Sequence, residues 1–206
     1  SDIGTDAVKI GMLGDAATVV AVADGLRAHG LQRVVLDPVA VSSTGAALIE
    51  PDAVSALVQH LLPLCAVLTP NLDEAALLVQ HALPDVQAMR AAARQLQGMG
   101  ATAVLLKGGH LPGEQVADVL LLADGSEHVF DAPRIATANH HGTGCTLSSA
   151  IAAHLALGAD LLQAVQAARS YIRNALQAGA RVQTGHGIGP LNHGFAPLPM
   201  QVLPHR

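Results

Sequence analysis

Ala66-Val67-Leu68-Thr69-Pro70-Asn71-Leu72-Asp73-Glu74-Ala75 sets a short apolar run, a polar turn carrying a proline and the start of an Ala/Leu-rich pattern in consecutive positions. An apolar run too short for a helix, followed at once by polar residues and a helical period, reads as a strand covered on both faces that feeds a crossover helix. The same grammar repeats on either side. Upstream, a strand over Ala7–Met12 precedes a helical pattern over Ala16–His29, and one over Arg33–Leu36 precedes Asp52–Leu62. Downstream, Leu72–Val79 and Asp85–Met99 are helical and Ala103–Lys107 is a fourth strand. Val116–Leu122 and Glu127–Ala132 flank Ala123-Asp124-Gly125-Ser126, a turn sequence that predicts an antiparallel hairpin at the sheet edge. After Pro133 a polar loop, Ile135–His141, leads through Gly142-Thr143-Gly144-Cys145-Thr146 into helices over Thr146–Leu157 and Asp160–Ala178. The tail from Gly179 is rich in Gly, Pro and His and has no periodicity. Strands alternating with helices define the α/β class, and 206 residues without repeat or linker predict one domain.

Composition narrows the function classes. Half the residues are apolar and the mean hydropathy is +0.39, yet the longest apolar run is five residues, as in Val19–Ala23. A bilayer span needs roughly 18–20, so no membrane helix is expected. Eleven Lys and Arg stand against 16 Asp and Glu, and the aromatics are Phe130, Tyr171 and Phe195 alone. Neither a basic surface nor a base-stacking platform is available, and nucleic acid is not an expected partner. Cys65 and Cys145 lie far apart with no CxxC, which suits a reducing compartment. The first residues lack the basic and apolar regions of a secretory leader, so a cytoplasmic location is the default expectation.

In open α/β sheets, ligands bind at the carboxyl ends of the strands, and the residues expected there are polar: Asp37-Pro38-Val39, Thr69–Glu74 and Lys107-Gly108-Gly109-His110. Gly142-Thr143-Gly144 places small residues at a helix start, where backbone N–H groups converge on an anion. Carboxylates, a lysine and an anion nest together describe phosphoryl transfer, in which cations and N–H dipoles hold the phosphates, acidic groups hold Mg²⁺ and a base orients the acceptor. The glycine motif is neither a Walker A loop nor GxGxxG. Cys145, in the first turn of its helix, is a candidate base or nucleophile, because a helix N-terminus favours a thiolate. Each feature also has a plainer reading. Asp37 can cap a turn, Lys107 can be a solvated lysine, Asn71 and Glu74 have the spacing of a capping box, and Thr143 can cap the glycine-led helix. Cys65 reads as a small buried apolar residue. Adjacent His140 and His141 lack the spacing of a metal site.

Together these segments resemble the hydroxymethylpyrimidine phosphate kinases of the ribokinase-like superfamily. The resemblance rests on Asp6–Leu13, Leu36-Asp37-Pro38-Val39, Leu68–Ala75, Leu106–His110, Ala132-Pro133-Arg134-Ile135, His141–Leu147 and Gly185–His193, in the family's order. It implies a three-layer α/β/α fold with a mostly parallel central sheet, and ATP-dependent phosphorylation of hydroxymethylpyrimidine phosphate, and of the free alcohol, to the pyrophosphate in thiamine biosynthesis. It further implies that Cys145 is the base, that Gly142, Thr143 and Gly144 form the anion hole, and that Asp37, Asn71 and Glu74 lie near Mg²⁺ and the phosphates. Asp37 and Glu74 are then the metal residues, Lys107 meets the ATP phosphates, and Met12 and Val39 lie beside the pyrimidine.

Three departures from the family stand out. Family members carry a first strand, a glycine-rich substrate loop and a lid before the position of Ser1, and these are absent from the 206 residues, which is expected to remove substrate contacts and expose apolar surface. Ala40 stands where methionine is usual, and His140 where threonine is. Pyridoxal-type kinases share the superfamily and in part the cysteine, so they are the nearest alternative, followed by a non-catalytic binder of nucleotide or vitamin precursor. A cysteine hydrolase leaves Asp37, Glu74 and Lys107 without a role. The oligomeric state is open, a homodimer being one option.

Overall fold

The computed structural model describes residues 2–40, 48–183 and 185–197. The chain divides into two compact units, Ser1–Arg134 and Ile135–Arg206.

The first unit is a sheet of six strands in sequence order, with helices at the crossovers. Strands β1 (Val8–Ile10), β2 (Val34–Leu36), β3 (Val67–Leu68) and β4 (Val104–Leu106) are parallel. β5 (Gln115–Leu121) and β6 (Glu127–Pro133) complete the sheet as an antiparallel hairpin, in a register running from Gln115 opposite Pro133 to Leu121 opposite Glu127. Its turn closes through Gly125, whose φ of 82° suits glycine, while Asp124 Oδ1 accepts from the Ser126 amide at 2.9 Å. All four parallel strands and the edge hairpin lie where the sequence pattern predicts them.

The crossover helices are α1 (Ala16–Ala28), α2 (Pro51–Ala56), α3 (Leu72–Val79) and α4 (Val86–Gly98). Asp15 and Asp85 cap α1 and α4 by accepting from Thr18 N at 2.7 Å and Ala88 N at 2.8 Å. The pattern over Asp52–Leu62 predicts one helix, but α2 widens after Ala56 into a π turn over Leu57–Leu61 and tightens into a 3₁₀ turn over Leu62–Leu64. Pro63 accounts for this correction, since its ring crowds the carbonyl four residues back and it has no N–H to donate. Side chains of α1–α4 pack against Ile10, Val34, Leu36, Leu68, Val104, Leu106, Val119 and Leu121, which form one sheet face by their alternate spacing. Val35, Val67, Leu105 and Leu120 on the opposite face are also fully buried, as expected of near-continuous apolar strands.

The second unit is built on α5 (Thr143–Ala156) and α6 (Leu161–Gly179), packed on one another. Asp160 and Gln163 form a capping box at the start of α6. Asn139 is buried and ties this unit together. Its Nδ2 donates to Gly179 O at 2.6 Å and to Val182 O at 2.5 Å, while the Gly189 N–H donates to Ala138 O at 3.2 Å. Gly189 has no room for a side chain, because a Cβ there would lie 1.8 Å from Asn139 Oδ1. The tail after α6 is thereby laid along the loop that precedes the glycine motif.

Candidate active site

The carboxyl ends of β2, β3 and β4 carry a buried charge cluster. Asp37 follows β2 directly and is 1 % exposed; its backbone N–H donates to Ile10 O at 2.9 Å. Lys107 follows β4, and its Nζ lies 2.8 Å from Asp37 Oδ1 and 3.9 Å from Glu74 Oε2. Glu74 comes from the first turn of α3. The helix is held there by a capping box, with Asn71 Oδ1 accepting from the Glu74 amide at 2.9 Å and Glu74 Oε2 accepting from the Asn71 amide at 2.7 Å. The box is real, and it also points the Glu74 carboxylate at the Lys107 ammonium. Asn71 further pairs with Lys107 in a parallel bridge, and the Lys107 amide donates to Pro70 O at 2.9 Å. The four unit-one residues expected at the phosphates, Asp37, Asn71, Glu74 and Lys107, are thus brought together by three strand ends and a helix start.

Burial raises the Glu74 pKa above its ordinary value, opposed by the Lys107 ammonium and the Asn71 N–H and reinforced by the Asp37 charge. The arrangement is two buried carboxylates, each within 4 Å of the Lys107 ammonium. Such a donor set fits Mg²⁺, which is commonly bound through one or two carboxylates while phosphate oxygens and water complete the octahedron. Among the described residues no group of three or more His, Cys, Asp and Glu could hold a metal.

Lys9 was not among the expected site residues. It lies on the sheet face opposite Val8 and Ile10, and its Nζ is 3.6 Å from Asp37 Oδ2. Gly11 makes this possible, because a Cβ there would sit 2.7 Å from the Lys9 ammonium. The available signal is the single charged residue within an apolar strand run, with a glycine two positions on and so on the same face. Met12 is 57 % exposed, Val39 is half-buried just past β2, and Ala40 is buried.

In the second unit the glycine motif opens α5. Gly142 is the N-cap with φ 85° and ψ 7°, a left-handed conformation that favours glycine, and no side chain caps this helix. Thr143 is therefore the first helical residue and not the cap, and the helix starts three residues before Thr146, where the sequence pattern placed it. The consequence is chemical: with no side-chain cap, N–H groups of the first turn can face an anion, although the Thr143 amide already donates to His140 O at 3.3 Å. Cys145 is exposed in that first turn. Cys65 is the opposite case, buried with its thiol pushed up to about 12 by desolvation and its Sγ donating to Leu62 O at 3.1 Å.

Solved structures with this architecture are ribokinase-like vitamin kinases. Pyridoxal kinase of Bacillus subtilis in its ADP complex superposes with a TM-score of 0.83 at 34 % identity, covering 94 % of this chain and 71 % of that one. The curated hydroxymethylpyrimidine/phosphomethylpyrimidine kinase of Rhizobium meliloti is 50 % identical over 195 residues, 94 % of this chain and 72 % of the relative. The protein of the same name from Escherichia coli is 45 % identical over 198 residues, 95 % of this chain and 74 % of the relative. Residues 1–192 match the family described as phosphomethylpyrimidine kinase, and the chain belongs to that family. It is a phosphotransferase of thiamine biosynthesis.

Proposed function

We propose that the chain transfers the γ-phosphoryl group of ATP to hydroxymethylpyrimidine phosphate, and to the free alcohol, with Mg²⁺ as the accompanying ion. The observation that carries the residue roles is the Lys107 ammonium set between two buried carboxylates at the strand ends. In the first unit, Lys107 turns to the nucleotide phosphates when they arrive. Asp37 and Glu74 then hold Mg²⁺, with Asn71 fixing Glu74, and Lys9 stays as counter-charge to Asp37. An ion held there would neutralise charge on the phosphate oxygens. Met12 and Val39 give the pyrimidine an apolar contact.

In the second unit, the Gly144 and Cys145 amides at the start of α5 meet the transferring phosphoryl group with fixed N–H dipoles. When the free alcohol is the acceptor, Cys145 takes the hydroxyl proton as the oxygen attacks. When the monophosphate is the acceptor, the attacking group is an ionised phosphate oxygen with no proton to remove. Both transfers are direct and in line, with no phosphocysteine formed. The reading includes a cytoplasmic location; among the described residues no helix is long and apolar enough to cross a membrane.

The test is a mass-spectrometric product assay with Mg·ATP and, separately, hydroxymethylpyrimidine, its monophosphate and pyridoxal. Pyrophosphate from the pyrimidine monophosphate is the expected product. The likeness to pyridoxal kinase supports a second acceptor class, and turnover of pyridoxal alone would select that reading. Nucleotide binding without any product would identify a binder.

A further inference from the structure

Arg134, the residue after β6, belongs to the segments that carry the family resemblance, yet none of the roles above uses it. Its guanidinium is the hub of the loop that connects β4 to β5. Nε donates to Gly113 O at 2.9 Å, Nη1 to Gly109 O at 2.7 Å and Nη2 to Leu111 O at 2.5 Å. Its own amide donates to Glu114 O at 2.7 Å. Alternate carbonyls of residues 109–113 thus turn inward on one fixed positive charge. Because the peptides are trans and planar, the N–H that follows each inward carbonyl points away from the guanidinium. Pro112 has none, which leaves the amides of His110 and Glu114 in that outward orientation.

The near end of the loop is equally constrained. The Gly108 amide donates to the buried Asp118 Oδ1 at 2.9 Å, and a Cβ on Gly108 would lie 1.9 Å from Ala117 O. Leu111 N donates back to Gly108 O at 3.0 Å. Lys107 is the residue immediately before this loop. Its backbone is therefore held by Pro70 on one side and by a loop locked on Arg134 on the other. Arg134 is itself exposed and outside the apolar core, so its five-donor fork serves the loop rather than the packing of the sheet.

We propose that Arg134 is a positioning residue for the nucleotide-phosphate end of the site: it locks residues 108–114 so that Lys107 leaves β4 with its ammonium set for a polyphosphate. The proposal rests on the assignment of Lys107 to the nucleotide phosphates. A lysine cannot replace it, since one ammonium on a flexible stem does not span three carbonyls in a plane.

The test compares the wild-type chain with Arg134→Ala, Arg134→Lys and Lys107→Met. ADP affinity is read by calorimetry in magnesium buffer, KM for ATP and kcat by steady-state assay, loop amides by hydrogen exchange, and folding by thermal unfolding. A misplaced Lys107 forfeits its charge-assisted hydrogen bond to a phosphate, so Arg134→Ala is expected to weaken ADP and raise KM for ATP by roughly 10- to 100-fold. kcat should change less, the midpoint should stay near wild type, and amides 108–114 should exchange faster. Millimolar guanidinium should restore ADP affinity to Arg134→Ala, and Arg134→Lys should remain impaired. Wild-type ADP affinity in Arg134→Ala despite a loosened loop overturns the proposal, as does a loss that guanidinium leaves unrestored and that follows unfolding. If Lys107→Met binds ADP like wild type, the Lys107 assignment has failed and this proposal falls with it. If Lys107→Met is weak and Arg134→Ala is normal, only the Arg134 proposal falls.

Discussion

Glu74 shows how one residue serves structure and chemistry at once. Its backbone and carboxylate close a capping box with Asn71, and the same carboxylate oxygen faces Lys107. Burial raises its pKa above the ordinary 4.5. The native state therefore holds this proton to higher pH than the unfolded chain does. The resulting stability is complete below pH 4.5 and is lost as pH rises through the native pKa. Glu74→Gln keeps an acceptor for the Asn71 amide and has no charge to bury. Its stability relative to wild type should increase from pH 4.5 upward, read by urea unfolding at several pH values, while turnover falls. A flat difference across that range would show that burial does not raise the Glu74 pKa. Lys9 makes a second case, because Gly11→Ala puts a Cβ 2.7 Å from its ammonium. The far end of a lysine moves readily, so the cost in folding is small, but the ammonium leaves Asp37. Lys9→Met and Gly11→Ala should each lower kcat/KM, and the double variant should match Lys9→Met. That gives a coupling energy of about 0.5–3 kcal/mol, and strict additivity would separate Gly11 from Lys9.

At the scale of elements, hydrophobic period and turn chemistry suffice for most of the architecture. The four parallel strands, the hairpin and the helices come from short apolar runs, an Asp-Gly turn and 3.6-residue spacing, all of them local signals. Leu72–Val79 matches its sequence pattern residue for residue, because Asn71 and Glu74 mark its start. What sequence reading misses is non-local or backbone-borne. The break after α2 depends on Pro63 acting back through the helix. The Arg134 contacts are with main-chain carbonyls, which have no side-chain signature. The Gly142 cap is misread because threonine is the stronger N-cap residue by propensity, whereas left-handed φ at that position favours glycine. The tail of the second unit is similar: Gly189 reads as a loop glycine, and only the structure shows Asn139 occupying the place of its side chain. Gly189→Ala must displace a buried amide with two hydrogen bonds, so a loss of about 1–3 kcal/mol is expected by overpacking, measured by urea unfolding. Asn139→Ala vacates that space. In its background Gly189→Ala should cost far less, and an undiminished cost would place the strain elsewhere.

At the scale of the whole molecule, the proposed roles give nucleotide binding and catalysis to different residues, and global stability can separate them. A ligand that binds only the folded chain raises its stability by RT ln(1 + [L]/Kd), about 2.7 kcal/mol at a hundred times Kd. Lys107 and Asp37 are assigned to the nucleotide, and Cys145 to the acceptor proton. Cys145→Ala should therefore keep the full rise in unfolding midpoint on addition of Mg·ADP. Turnover of the free alcohol should fall by roughly 10²–10⁴-fold, the usual contribution of a general base, and that of the monophosphate by less. Lys107→Met should show the reverse balance, losing much of the ligand-induced rise. The measurement is differential scanning fluorimetry across an ADP titration, paired with the product assay on the same preparations. Unchanged turnover of the free alcohol in Cys145→Ala would remove the thiol from the reaction, leaving the N–H groups of the α5 first turn as that unit's contribution. A lost midpoint shift in Cys145→Ala would instead make the thiol part of nucleotide binding, and the base would have to be sought elsewhere.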